Sequence, residues 1–512
     1  GMRFSPNGKR LIITSHAHGG IKRVLQVSLS KGFDTSSFTI DGSRILAGSG
    51  NEMSEANTQT RGAAFSGSGL KVYIGSDRDQ NSKDEVYEYD LVCPFNIIRG
   101  KCTSITENRD RTGVAEAQIG LAKRTIEYST DSVLNRIKWI RRNKDKQNLS
   151  NLDIDFNFEN QRLASLINTF KTVAAKKEVE DQDSDIFYWS EGTIAVGRVG
   201  NTSISSSKKI GTDGLTFGAD RFTEDNKLRG FAFRFGRDSV DVGTAGSNLD
   251  TDTYNFTFYS TSPVKDDTKF IDTVIGIGKL KSDILTVLDG QSLTADRTGD
   301  QFYGTFKIKD EIKNNKLILI PSGQFDLGHT VLDAYKENGN GAIKVKKQHV
   351  RTKKLKAAIA AVEDLSKENY TFRRHGKIEY VADVDRSSNF KYTYASDNSV
   401  GFNEKLNQDS LHNLNGEIGF DLVFQNNFST FLIYEREHAF EKGHTDKIHI
   451  ALGYLPSKDT NYSFTVDGSE TVQSNFIFTK NMGHLLIDFK LSNDLMRPEN
   501  YSEALISLRG KY

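Results

Sequence analysis

Cys93 and Cys102 are the only cysteines in the chain of 512 residues, and they are the first candidates for chemistry. They flank the short segment 94–101, so in an exported protein they predict a local disulfide, with two unpaired thiols as the alternative. A zinc site would need further Cys, His or carboxylate ligands close by, and the adjoining sequence offers no such set. We therefore expect a disulfide here and not a metal centre.

The other candidate motifs indicate little chemistry. His16-Ala-His18 lies in a Gly-bounded turn without an acidic or Cys companion, which is typical of solvated turn residues. Ile275-Gly-Ile-Gly-Lys279 lacks the third Gly and the following helix of a phosphate-binding loop. Neither Gly-x-Ser-x-Gly nor His-Glu-x-x-His occurs. We expect no catalytic residue, no cofactor and no metal, and hence no enzyme.

The elements that position these residues are strands with strict alternation. In Gly230-Phe-Ala-Phe-Arg-Phe-Gly-Arg237 the aromatic residues share one face, and Gly, Ala and Arg share the other. The next run, Tyr254 to Phe258, repeats the design. Many such strands in series predict a membrane-spanning antiparallel barrel better than a soluble sandwich. The predicted lipid-facing residues are Phe231, Phe233, Phe235, Tyr254, Phe256 and Phe258.

Composition excludes two other classes of protein. The net charge of +1 gives no overall basic field for nucleic acid. Mean hydropathy is −0.51, and no stretch approaches the roughly 20 apolar residues of a spanning helix. Only 6 prolines against 43 glycines suit long ladders that need every backbone donor. The composition therefore favours an all-β chain.

The first hundred residues contain an internal repeat. Met2 to Ser15 matches Ala63 to Ser76, and each copy continues through a polar turn into a second alternating strand. Two copies resemble blades of a β-propeller, which needs at least about 4 to close. With no secretion signal ahead of them, they predict a truncated N-terminus. We interpret residues 1–102 as part of a propeller-like domain with about two blades, and the whole sequence as a protein fragment.

Residues 103–185 switch to helical periodicity. Apolar residues recur at helical spacing in Asp131 to Arg142 and again in Leu163 to Val173. The functional interpretation is a linker helix in or near a barrel mouth, and the alternative is a small helical lid. The basic residues of the first helix, Arg136, Lys138, Arg141 and Arg142, are equally typical of a solvated face.

A family resemblance follows from an ordered set of motifs. Trp189-Ser-Glu-Gly192, Gly214-Leu-Thr-Phe-Gly-Ala-Asp220, Asp326 to Tyr335 and a terminal aromatic strand together resemble the translocator domain of autotransporters, the type V secretion proteins of Gram-negative bacteria. The resemblance covers about residues 110–512. It implies an outer-membrane barrel, typically of twelve strands, at residues 186–512, which exports or displays an N-terminal passenger at the cell surface.

The resemblance also implies partners. Outer-membrane lipid would surround a monomeric barrel, and the barrel-assembly machinery would recognise the last strand, with Leu508, Gly510 and Tyr512 as the assembly signal. We expect that strand to pair with the first strand and close the barrel. Strand-like runs after Pro456 leave the strand number at twelve or more.

Ile343 to Val362 departs from the family pattern. This stretch contains seven Lys or Arg and no acid, and its Ala-rich end favours a helix locally. The resemblance implies a strand, with the charges in the lumen or at a rim, and we adopt the strand.

Two alternative functions remain from the sequence. One is a propeller-like binding module or adhesin displayed on a generic anchor. The other is a porin-like channel, which the preceding domain disfavours.

Overall fold

A computed structural model defines the fold of the chain. The structure describes residues 1–5, 8–15, 23–45, 59–67, 69–77, 85–91, 93–98, 104–142, 153–154, 186–223, 227–264, 268–288, 290–339, 341–396, 398, 401–407, 410–424, 428–441, 443–454, 460–468, 472–481, 485–494 and 502–510.

The N-terminal region contains two small antiparallel sheets. The first consists of β1 (Met2–Phe4), β2 (Arg10–Ser15), β3 (Arg23–Leu29) and β4 (Phe38–Ile45), and the second of β5 (Gln59–Phe65), β6 (Lys71–Asp77) and β7 (Glu85–Asp90). Each is a simple meander, and the two share one apolar core that includes Ile12, Val24, Val72 and Ile74.

The sequence repeat has the same turn in both copies. Gly8 and Gly69 have positive φ (68° and 73°). The carbonyl oxygen of Gly8 accepts a hydrogen bond from the N–H of Phe33, and that of Gly69 accepts one from the N–H of Phe95. A Cβ built on either glycine would lie only 2.3 or 2.4 Å from the ring of that Phe. Only glycine fits this position, so the two copies share a structural unit. Its membership of a propeller stays a prediction.

One long helix follows these sheets. Helix α1 (Arg109–Arg142) has 34 residues, and the side chain of Asn108 accepts a hydrogen bond from the N–H of Arg111 at its start. Among the described residues, no helix is both long and apolar enough to cross a membrane by itself. The helix contains the predicted segment from Asp131 to Arg142 but begins 22 residues earlier than that segment. The second predicted helix, Leu163 to Val173, lies outside the described residues.

The central element is a closed antiparallel barrel around α1. After the two-residue strand β8 (Asp153–Ile154), its strands are β9 (Phe187–Val199), β10 (Lys208–Phe222), β11 (Leu228–Val242), β12 (Ser247–Pro263), β13 (Lys269–Leu288), β14 (Gln291–Asp310), β16 (Leu317–Leu332), β19 (Gln348–Asp364), β20 (Tyr370–Asp383), β23 (His412–Phe424), β24 (Phe428–Ala439) and β25 (Gly443–Tyr454). The sheet has thirteen strands, and because β15 (Ile312–Asn314) pairs only with β16, the ring itself has twelve.

The strand that closes the barrel differs from the sequence prediction. β25 pairs with β9, with Gly443 opposite Val199 and Ile450 opposite Gly192. This ladder joins the two edge strands of the sheet and closes the ring. The barrel therefore ends at Tyr454 and not at residue 512, and the expected pairing of the last strand with the first is wrong.

The last described strands form a separate sheet. β26 (Thr460–Gly468), β27 (Val472–Asn481), β28 (Leu485–Asp494) and β29 (Ser502–Gly510) form an antiparallel meander, and β8 pairs in parallel with β26. Leu508 belongs to β29 and is exposed, whereas Tyr512 lies outside the described residues. The role of Leu508, Gly510 and Tyr512 as an assembly signal stays a prediction.

The two faces of the barrel wall follow the predicted alternation. Phe231, Phe233, Phe256 and Phe258 point outward, with exposed fractions between 36% and 52%. Phe235 is only 5% exposed, because the rings of Phe233 and Tyr254 cover it at centroid distances of 4.3 and 5.7 Å. Phe235 therefore shares the outward face but presents little of its own surface.

A third small sheet covers one end of the barrel. We call it the cap sheet: β17 (Tyr335–Lys336), β18 (Ile343–Val345), β21 (Ser387–Tyr394) and β22 (Gly401–Asn407). It arises from the connections β16–β19 and β20–β23. The segment from Ile343 to Val362 is extended, as adopted from the resemblance, since β18 and β19 occupy it. Its lysines divide as expected: Lys354 and Lys356 are buried in the lumen, and Lys353 is exposed near the rim.

Candidate functional site

The barrel lumen is the candidate site, and α1 fills it. The helix contacts strands β9 to β14, β16 and β19. A helix of 34 residues is about 50 Å long, whereas the hydrocarbon core of a bilayer is about 30 Å thick. We call the end at Arg109, where the cap sheet lies, the upper end, and the end at Arg142 the lower end.

At the lower end, basic helix residues pair with acidic wall residues. Arg136 binds Asp220 through two hydrogen bonds, Nε–Oδ2 at 2.7 Å and Nη2–Oδ1 at 2.9 Å, and both side chains are fully buried. The Tyr259 hydroxyl donates to the same carboxylate at 2.7 Å, and Trp189 Nε1 donates to that hydroxyl. The carboxylate therefore has three donors within one network.

The other basic residues of this helix end repeat the arrangement. Lys138 pairs with Glu417 at 3.0 Å, Arg141 with Glu311 at 2.7 Å, and Arg142 Nη2 with Asp421 at 2.7 Å. The interpretation of this helix face as plainly solvated is therefore wrong, because each of its four basic residues pairs with an acidic residue of the wall. The cations also lie at the negative end of the helix dipole, which adds to their stabilisation.

In the middle of the lumen the helix contributes the acidic residue and the wall contributes the basic residues. Glu127 of the helix accepts from Lys354 at 2.8 Å and from Lys447 at 3.0 Å. Lys447 also contacts Asp131 and Glu435, both at 3.3 Å. Glu127, Asp131 and Glu435 are close enough together to resemble a metal site, but the ammonium group of Lys447 contacts all three carboxylates.

At the upper end the helix is tied to the cap sheet. Arg111 pairs with Glu337 and donates to the carbonyl oxygen of Gly341 at 2.8 Å. The N–H of Ile105, just before the helix, donates to the Tyr392 hydroxyl at 2.7 Å. Tyr392 stacks on Phe402 with centroids 4.9 Å apart, and burial raises the pKa of its hydroxyl. That phenol therefore stays neutral and accepts this hydrogen bond at physiological pH.

Apolar contacts complete the closure of the lower end. Val133, Ile137 and Trp139 of the helix pack with wall residues that include Phe431, whose ring lies 5.7 Å from that of Trp139. The helix thus makes both apolar contacts and ion pairs along the lumen.

The N-terminal sheets also contact the upper end of the barrel. Leu70 is buried together with Leu288 and Leu293, which lie at the tip of the β13–β14 hairpin. Cys93 belongs to the same apolar cluster as Ile105 and the cap residue Tyr392. These contacts connect the region before α1 to both the wall and the cap.

The remaining predicted residues are placed as follows. Cys93 forms a disulfide, whereas Cys102 lies outside the described residues, so their pairing stays a prediction. His16 and His18 also lie outside the described residues. The partners of α1 were not identified from sequence, although Asp220 belongs to a quoted motif. Charged residues at inward positions of alternating strands were the signal available for them.

Comparison with known proteins identifies the barrel. Residues 188–435 match the family model described as autotransporter beta-domain. Among curated proteins no match was found. The translocator domain of autotransporter NalP from Neisseria meningitidis is 14% identical over 57% of this chain and 96% of that one, with a TM-score of 0.44. The beta domain of the Bordetella autotransporter BrkA is 12% identical over 52% and 98%, with a TM-score of 0.38.

A third solved structure has the same character. The transport unit of the autotransporter AIDA-I from Escherichia coli is 11% identical over 54% of this chain and 92% of that one, with a TM-score of 0.34. The matched segment coincides with the strands of the closed ring, from β9 into β24. The barrel of this chain is therefore an autotransporter β-domain, which lies in the outer membrane of a Gram-negative bacterium and exports its passenger to the cell surface.

Proposed function

We propose that α1 is the last part of the exported segment to enter the barrel and that it stays there as a plug. The observation that carries this proposal is the set of ion pairs between α1 and the wall at the lower end, in the middle and at the upper end. A passing, unfolded chain would not find matched partners at three successive heights. The cap sheet then holds the upper end of the helix in place.

The region before α1 is the proposed passenger. Its two repeated sheets precede the helix in sequence and contact the upper end of the barrel, which is the proposed surface end. We propose that it belongs to a propeller-like domain and that the barrel domain itself carries out no catalysis. The barrel is proposed to act as a monomer, and the barrel-assembly machinery is its proposed partner during insertion.

Conductance in planar bilayers tests the plug. The full chain is expected to pass little current, whereas residues 186–512, which lack the helix, are expected to form a large open channel. The matched control is residues 104–512, which keep α1 but lose the N-terminal sheets, and it should be closed like the full chain.

Two results would contradict the proposal. If residues 104–512 conduct like residues 186–512, the helix does not block the lumen. A large, stable and substrate-selective current through the full chain would favour a porin-like channel instead.

A further inference from the structure

A cluster of basic side chains lies on the outer wall of the barrel near the surface end. We call His329 on β16 and His349, Arg351 and Lys353 on β19 the cationic cluster. Arg351 lies directly opposite His329 in the ladder, and His349 Nδ1 is 3.2 Å from His329 Nε2. The four side chains therefore form one continuous patch on two adjacent strands.

The cluster lies at the upper boundary of the apolar surface. Along β19 the outward positions change from His349, Arg351 and Lys353 to Leu355, Ala357 and Ile359. Leu355 and Ile359 are 52% and 65% exposed, as expected for residues that face lipid tails. The change occurs in a single outward step, so the cations lie at the level of the outer-leaflet head groups.

The charges of the cluster are only partly neutralised by the protein. Lys353 has Asp385 at 3.6 Å, but among the described residues no carboxylate pairs with Arg351. The neighbouring part of the wall, which begins at β14 directly beside β16, has the reverse character. Its outward positions on β12, β13 and β14 near the surface end include several aspartates: Asp250, Asp252, Asp283, Asp296 and Asp300. The cationic cluster on β16 and β19 therefore directly adjoins an acidic region of the outer wall.

A groove of about 1260 Å³ lies below the cluster on the same side of the barrel. It crosses β16, β19, β20 and β23, and its floor consists of small outward residues that include Gly323, Ala357 and Gly416. Isoleucines on three of these strands form ridges: Ile359, Ile378 and Ile418. A Cβ placed on Gly323 or Gly416 would meet no atom within 4 Å, so the groove has open space for an acyl chain.

We propose that the cationic cluster and this groove together bind a phosphorylated, multiply acylated glycolipid of the outer leaflet. Its phosphate groups would accept hydrogen bonds from Arg351, Lys353 and the two histidines, and one acyl chain would lie along the groove. A guanidinium group suits this role because it binds phosphate oxygens in a bidentate manner. The aspartates on β12 to β14 would disfavour the same head group on that side of the cluster.

The test measures binding of lipid A with two phosphates to the full chain in zwitterionic micelles by native mass spectrometry. Each cation near a head group contributes about a fivefold change in affinity, so Arg351→Gln with Lys353→Gln is expected to weaken binding about 25-fold. The matched control is Lys279→Gln with Lys281→Gln, which removes two exposed lysines among the aspartates of β13, two strands away from β16. That control is expected to bind like the unaltered chain.

Additional binding measurements distinguish the proposed glycolipid from other ligands. Dephosphorylated lipid A and phosphatidylglycerol should both bind more weakly than lipid A, and inorganic phosphate should not displace it. Gly416→Leu fills the groove without touching the cluster, and it should weaken lipid A binding as well. Equal losses in the two double variants, unchanged binding after Arg351→Gln with Lys353→Gln, or full displacement by inorganic phosphate would each overturn the proposal.

Discussion

The ion pair between Arg136 and Asp220 provides the strongest test of how the helix is held. Both side chains are fully buried, and the pair has two hydrogen bonds of 2.7 and 2.9 Å. Arg136→Met would leave the carboxylate of Asp220 with the Tyr259 hydroxyl as its remaining donor in this network. Loss of one partner from a buried pair costs about 3–5 kcal/mol. The ratio of chains with α1 inside the lumen to chains with α1 outside it should therefore fall by about two to four orders of magnitude.

A double-mutant cycle isolates this interaction. Asp220→Asn alone should be similarly costly, because it leaves a buried guanidinium group without a counter-charge. The double variant should lose clearly less than the sum of the two single variants. Seating of the helix can be followed by protease cleavage within α1, and barrel unfolding by heat-modifiability gels of the micelle-refolded chain.

An exposed pair on the outer wall supplies the control. Lys279 and Asp300 are 3.7 Å apart, with 65% and 72% of their side chains exposed, so their coupling should stay below about 1 kcal/mol. If the Arg136–Asp220 cycle gave a coupling as small as this one, the reasoning that ion pairs hold the plug would be refuted.

Two further predictions concern the wall and its assembly. Phe256→Arg places a charge on the lipid face and should destabilise the barrel by about 2–4 kcal/mol in urea titrations. Arg229→Ala, on the same outward face but near the lower end, should change little, and equal effects would mean that Phe256 does not lie at the depth of the lipid tails. Deletion of Leu508–Tyr512 should abolish outer-membrane insertion, measured by fractionation of cells. The purified chain with this deletion should still refold into a heat-modifiable barrel, because β25 closes the ring. Normal insertion in cells would exclude an assembly signal in the last strand.

The local features of the barrel were predictable from sequence, and the long-range ones were not. Alternation places Phe231 and Phe256 outward because side-chain direction in a strand depends only on residue parity. Strand closure depends on which distant segments pair, and the runs after Tyr454 alternate as well as β25 does. The sequence therefore predicts strands with correct faces but not the strand that completes the ring.

The helix illustrates the same limit. Its lower half has a clear apolar stripe, since Val133, Ile137 and Ile140 pack against apolar wall residues. The upper half has mixed surroundings: Val114 and Leu121 pack in an apolar cluster with wall and cap residues. Arg111, Glu116 and Lys123 are buried there against opposite charges. Periodicity of hydrophobic residues cannot indicate a helix whose environment is polar on several sides. For this reason the helix start at Arg109 was missed.

The contact of Leu70 with the β13–β14 hairpin has a mechanical consequence at the cell surface. A force that pulls on the N-terminal sheets reaches the barrel by two routes, along the chain into α1 and across this contact into the wall. The strands β13 and β14 have 20 residues each and pair along their whole length. The hairpin therefore transmits force from its tip to the barrel wall. Part of the load on the N-terminal sheets is therefore carried by the barrel wall and not by the ion pairs of α1.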